Sequence, residues 1–350
     1  MASALPRGVG SALLAAALFG AGAPLAKLLL EHTSPWLLAG LLYAGSGIGL
    51  LLWRLLRRAP PARLAPGDGR WLALAIVAGG VVGPVLLMAG LARMPASGAS
   101  LLLNLEAVLT ALLAWLVFKE NADRRIVFGM AAIVAGAVVL AGQGGASFGG
   151  AVPALLVTGA CLAWAIDNNL TRKVALADAS FIAMSKGLVA GAVNLGLAAW
   201  AGAARPDAGT VFAAGVLGLL AYGASLILFV VALRELGAAR TGAYFSVAPF
   251  FGAGLAVLLL KEPVTTELML GGALMAVGVW LHVTERHSHA HHHAGMEHSH
   301  AHVHDEHHQH EHDDDHAAGA SNRPHTHVHR HEPMSHSHTH FPDAHHRHEH

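Results

Sequence analysis

Apolar residues along this chain do not recur at the three-to-four spacing of a soluble helix, nor do they alternate as in a half-buried strand. They come in nearly unbroken runs of about 20, separated by short polar stretches, up to Arg286. An α-helix rises 1.5 Å per residue, so each run covers the roughly 30 Å of a bilayer's hydrocarbon. The runs predict ten helical spans, at about 9–30, 35–56, 70–92, 97–118, 125–142, 151–171, 179–201, 210–233, 239–260 and 267–284. The first contains Ala21-Gly22-Ala23, which resembles a leader cleavage site, but it is too long for a signal-peptide core and nine similar runs follow. The pattern predicts an all-α polytopic membrane protein.

Positive charge sets the expected direction. With a cytoplasmic N-terminus, fourteen Lys and Arg fall on that side, five of them between Arg54 and Arg70, against four on the other: Lys27, Arg93, Arg205 and Lys261. An even number of spans then returns the C-terminus to the cytoplasm. The formal net charge of zero hides two unlike parts. Residues 1–286 carry 19 Lys+Arg and 12 Asp+Glu, a net +7, whereas residues 287–350 carry 3 and 10, a net −7 with His neutral. Of the 27 histidines, 25 lie in that last stretch. Cys161 is the only cysteine, which excludes a disulfide framework, and its apolar surroundings mark it as a small core residue.

A shift of 142 residues superimposes Leu91–Ala96 on Leu233–Ala238, Lys119-Glu120 on Lys261-Glu262, Gly129 on Gly271 and Gly136 on Gly278. Two five-helix units follow, residues 1–145 and 148–285, with residues 286–350 as a tail. An odd number of spans per unit makes the two insert with opposite orientation, so the fold expected is a pair of inverted five-helix repeats, with a substrate pathway at their interface near the midplane. Ten helices in two halves, with Lys-Glu closing the fourth and ninth spans and glycine-containing fifth and tenth spans after them, resemble the drug/metabolite transporter superfamily, and within it the EamA type. The resemblance covers about residues 10–284. It implies gradient-coupled or facilitated movement of small organic solutes such as amino acids across a bacterial inner membrane, without identifying the solute or its direction.

A charge at the bilayer centre costs about 2.5–3.5 kcal/mol on insertion scales, so each needs a reason. Glu106 lies about 15 Å into the fourth span, at the midplane, with Asn104 two residues away; it suits a proton-coupling or cation-binding group. Trp164, Asp167 and Asn168 form the polar end of the sixth span, either a second part of the cavity or simply the headgroup boundary. Lys186 in the seventh span is the natural partner of Asp167 or Glu106, unless it snorkels. Together these six are the expected pathway residues.

The tail has fifteen His-x-His pairs. Residues two apart in an extended chain share a side, so His287, His289, His291, His293, His298, His300, His302, His304, His325, His327, His329, His336, His338 and His340 are candidate ligands for zinc, nickel, cobalt or copper. With few apolar residues the tail is expected to be disordered without metal. No phosphate loop, nucleophile or triad spacing is present, and nothing points to nucleic acid, a required cofactor or an enzyme. The leading function is a secondary carrier for a small organic solute. The alternatives are a divalent-metal exporter fed by the tail, or a membrane-tethered metal buffer or sensor.

Overall fold

The structure is a computed structural model of the chain; it describes residues 7–60, 62, 64–65, 67–118, 124–142, 150–174, 178–284, 288–293, 296–302, 325–331 and 334–339. Up to residue 284 the described elements are helical: α1 (Arg7–Gly20), α2 (Gly22–Leu29), α3 (Pro35–Leu56), α4 (Asp68–Ala75), α5 (Gly83–Leu91), α6 (Ala96–Leu102), α7 (Leu105–Phe118), α8 (Arg124–Gly142), α9 (Ala151–Thr171), α10 (Ala179–Trp200), α11 (Ala208–Gly218), α12 (Ser225–Phe245), α13 (Ala248–Leu260) and α14 (Thr266–Val283). Short polar breaks supply the starts: the side chains of Ser34, Asp178, Asp207 and Thr265 accept the N–H three residues on, opening α3, α10, α11 and α14. Among the described residues, nine helical stretches are long and apolar enough to cross a membrane, with Ala248–Leu260 a shorter apolar helix besides. The protein is a multi-pass membrane protein. Large apolar side chains such as Leu56, Trp200, Phe212 and Leu258 face outward, while much of the interior is alanine and glycine, the arrangement of a bundle whose solvent is hydrocarbon.

The difference between ten expected spans and nine lies in α12. Its hydrogen bonding is helical through the connection expected near 234–238. Phe229 and Phe245 would be about 24 Å apart along a straight helix, yet their ring centroids are 4.9 Å apart. The chain therefore doubles back between them, and the end of α12 leads into α13. The fourth span is broken at Leu103-Asn104, between α6 and α7, and the ninth at Ser246-Val247, one residue from the matching place under the 142-residue shift. The third and eighth spans each contain a π-helical segment, Ile76–Val82 and Leu219–Ala224. Pro153 and Pro249 sit in the first turn of α9 and α13, where the missing N–H costs nothing, whereas Pro84 directly follows the π segment within the third span.

Packing pairs the first span with the eighth, the third with the sixth, the second with the seventh and the fifth with the tenth. Replacing each span by its counterpart five places on turns the first pair into the second and leaves the other two unchanged. At the fifth–tenth crossing Gly129 meets Gly278 and Gly136 meets Gly271: a Cβ on Gly129 would fall 2.9 Å from the Gly278 carbonyl, and one on Gly136 2.7 Å from that of Gly271. At the second–seventh crossing Gly47 meets Gly187 and Gly191 meets Ala44. Beside that crossing the buried Arg54 donates to Asp178 (2.8 Å), to Ser180 and to the Pro60 carbonyl (3.0 Å). Burial opposes the charge on Asp178, but hydrogen bonds from Ser180 and the Phe181 N–H, together with Arg54, outweigh it and hold the carboxyl below its usual range. This contribution is complete at neutral pH and is lost only as pH falls through the lowered value. Asp178→Ala is expected to lower stability by about 1 kcal/mol, since water reaches the half-exposed carboxylate site, measurable as an earlier thermal transition in detergent.

Residues 286–341 form a separate unit, in which β1 (Ser288–His293) pairs antiparallel with β4 (Met334–Thr339) and β2 (Met296–His302) with β3 (His325–His331). These four segments are paired strands, whose ladders satisfy backbone groups without requiring an apolar core. His287, His304, His340 and the Lys119-Glu120 pair lie outside the described residues.

Candidate functional site

The sixth span, α9, sets out the site. Trp164, Asp167, Asn168 and Thr171 recur at helical spacing along it. Asp167 Oδ1 accepts from Lys186 Nζ at 2.5 Å and from Thr171 Oγ1 at 2.9 Å, and Lys186 also donates to Thr171 at 2.8 Å. The Asp167 and Lys186 side chains are 12% and 18% exposed, so the pair is largely withdrawn from solvent. The second carboxylate oxygen lies against the π segment of the third span: a Cβ on Gly79 would fall 2.0 Å from Asp167 Oδ2. A side chain at 79 and a carboxylate at 167 are mutually exclusive in this packing. The Gly79 carbonyl accepts from Tyr43 Oη at 2.8 Å and Trp164 Nε1 at 2.9 Å, and the Gly80 carbonyl from Asn194 Nδ2 at 3.0 Å. The wide turn thus bonds to the second, sixth and seventh spans at once.

Glu106 comes to the same place from the fourth span. Its Oε1 accepts from Asn168 Nδ2 at 2.8 Å, and Asn168 also reaches Thr110 Oγ1 at 3.4 Å. Asp167 is close enough to Glu106 for the two to act on each other electrostatically. Charge is therefore distributed unequally: Asp167 has an ammonium beside it, whereas among the described residues Glu106 is bonded to a neutral amide and to no cation. A carboxylate so placed can take a proton or a cationic group without first breaking an ion pair.

Five of the six residues expected for the pathway are in this cluster: Glu106, Trp164, Asp167, Asn168 and Lys186. Asn104 is not. It sits in the break of the fourth span and donates to the Leu101 carbonyl at 2.9 Å and to Met275 Sδ of the tenth span at 3.8 Å. The site also contains residues not singled out beforehand, Tyr43, Thr110 and Thr171. An aromatic file leads away from it: Tyr43 to Tyr222 (5.7 Å between centroids), Tyr222 to Phe19 (6.0 Å), Phe19 to Phe245 (5.4 Å) and Phe245 to Phe229. Tyrosines in the middle of apolar spans were the available signal. Phe250 instead lines an open apolar recess of about 420 Å³ with Leu101, Val257 and Leu268.

At the end of the bundle where the third span turns into the fourth, Lys27 Nζ donates to the carbonyls of Leu91 (2.6 Å) and Met94 (3.1 Å), and the Glu262 carboxylate accepts from the N–H groups of Ala96 (2.7 Å) and Ser97 (2.8 Å). Lys261, at φ 53°, ends α13 in the left-handed conformation that brings Glu262 round. Lys27 is thus a residue that ties two spans together at an end.

A profile of the EamA-like transporter family matches residues 6–142 and again residues 152–284. The chain belongs to the EamA-like transporter family. It is 30% identical over 295 residues to an uncharacterized transporter of Methanothermobacter thermautotrophicus, covering 77% of this chain and 84% of that protein. A solved crystal structure shares the fold with a TM-score of 0.59 at 18% identity, covering 78% of this EamA-like chain and 95% of the other. The double match of the family profile has the same period as the repeated packing of the spans.

Proposed function

We propose that this EamA-like transporter is a secondary carrier, an exporter of a small organic metabolite such as an amino acid, in the inner membrane of a bacterium, with both termini cytoplasmic. In this reading the chain is two inverted five-helix repeats, residues 1–145 and 148–285, that rock against each other. The cluster of Glu106, Asp167, Asn168 and Lys186 is the solute- and ion-binding part of the pathway, and the aromatic file from Tyr43 to Phe229 is its apolar wall. The observation that carries the proposal is Glu106: a carboxylate within a span, held by the neutral amide of Asn168, beside a second carboxylate whose charge is already balanced. Protonation of Glu106, or its pairing with a solute ammonium, changes the charge of the cluster by one unit and gives the halves different preferred arrangements.

Glu106→Gln keeps the shape and the hydrogen bond to Asn168 but removes the titrating group. Cells producing the wild-type chain, the Glu106→Gln chain or neither, compared by untargeted analysis of retained and exported metabolites, are expected to show solutes whose export falls at least tenfold with Glu106→Gln. Export equal to wild type by Glu106→Gln would remove the carboxylate from the pathway.

A further inference from the structure

The charges of the site do not cancel. Glu106, Asp167 and Lys186 leave one negative charge over, and it falls on Glu106, because Lys186 is bonded to Asp167 at 2.5 Å and to Thr171 at 2.8 Å. Asn168 donates to Glu106 Oε1, and among the described residues no donor reaches Oε2. The charged neighbour that acts on Glu106 is Asp167, of the same sign. Among the described residues, Lys186 is also the one cation bonded to any member of the cluster. A solute carboxylate brought here would meet two like charges with no uncommitted cation to balance it, whereas an ammonium would meet a carboxylate that has none.

An apolar partner lies beside the carboxylates. Tyr43 Oη donates to the Gly79 carbonyl, whose turn packs against Asp167, and the phenol is close enough to both Asp167 and Glu106 to sense their charge. Its ring begins the aromatic file, with Tyr222 next at 5.7 Å and an interplanar angle of 33°. Asn168 is exposed and Glu106, Tyr43 and Tyr222 are half-buried, so each keeps surface that a solute can touch. Aromatic rings pack an apolar body and also attract a cation.

We propose that the solute is an amine with an aromatic body and no carboxylate, its ammonium paired with Glu106 and its ring set against Tyr43 and Tyr222. This rests on the carrier reading above and narrows the solute from amino acids to amines. Selectivity then comes from charge more than from fit. Taking the carboxylate off an aromatic amino acid removes the one group that the cluster repels and leaves every favourable contact in place.

The test is equilibrium dialysis of the full-length chain in detergent at pH 7.5 against three labelled probes that share a phenyl ring: phenethylamine, phenylalanine and hydrocinnamate. The wild-type chain is expected to bind phenethylamine saturably and at least tenfold more tightly than phenylalanine, and to leave hydrocinnamate unbound. Glu106→Gln is expected to weaken phenethylamine binding tenfold or more. Tyr222→Leu, which leaves both carboxylates in place, is expected to weaken it at least threefold. Phenylalanine bound as tightly as phenethylamine by the wild-type chain, and lost with Glu106→Gln, would overturn the amine assignment while the carrier reading stands. Phenethylamine binding that is absent from the wild-type chain, or that survives either variant unchanged, would also overturn the proposal; the carrier reading is decided separately, by the export of metabolites that depends on Glu106.

Discussion

Asp167→Ala is expected to abolish transport and to destabilise the protein by about 3 kcal/mol, because it strands the Lys186 ammonium in the bundle with Thr171 as its one remaining described partner. Removing one member of a buried ion pair costs far more than removing both, since the residual charge has nothing to offset its lost hydration. The double variant Asp167→Ala/Lys186→Met is therefore expected to recover most of the thermal stability in detergent while flux stays at background. That separation distinguishes the two roles the pair could have. If the double variant transports as well as wild type, the pair is structural and the pathway lies elsewhere.

Gly79→Ala is expected to be nearly as damaging. Its Cβ would meet Asp167 Oδ2 at 2.0 Å, Cγ at 2.4 Å and Cβ at 2.6 Å, so either the carboxylate leaves Lys186 or the π segment moves and loses the hydrogen bonds from Tyr43 and Trp164. Overpacking of this kind costs about 1–3 kcal/mol, and flux is expected to fall at least tenfold. Gly69→Ala is the control: it lies in the same span, a Cβ there meets nothing within 4 Å, and the substitution is expected to be neutral or stabilising by a few tenths of a kcal/mol. Flux and unfolding temperature measured on both variants separate an effect of the site from an effect of glycine loss in the third span.

How far the site was legible followed from the cost of charge in hydrocarbon. Lys186 and Asp167 had to find partners, and with so few charges in the spans the candidates were few. Glu106 was marked in the same way by its depth. Asn104 was grouped with Glu106 because two residues separate them, but residues two apart on a helix point about 200° from each other, and the break at Leu103-Asn104 turns the amide toward Met275. Tyr43 and Tyr222 escaped notice because a phenol in an apolar run carries no charge to account for. Hydropathy starts a ninth span near residue 239, whereas the hydrogen bonding of α12 runs on from the eighth through Phe245.

The π segments have a torsional consequence. A π turn takes up one residue more than an α turn for a similar advance, so every side chain beyond it is displaced by about 100° around the axis. In the third span this lets neighbouring glycines serve different helices: Gly79 and Gly83 lie against Asp167 and Trp164 of the sixth, Gly80 against Ala190 of the seventh. The eighth span has the same offset at Leu219–Ala224. A wide turn can pass its surplus residue to the next position by exchanging one hydrogen bond for another, turning the far end of the helix about its own axis while both ends stay helical. The third and eighth spans each contain such a wide turn, and in the third it lies directly against the carboxylate of Asp167.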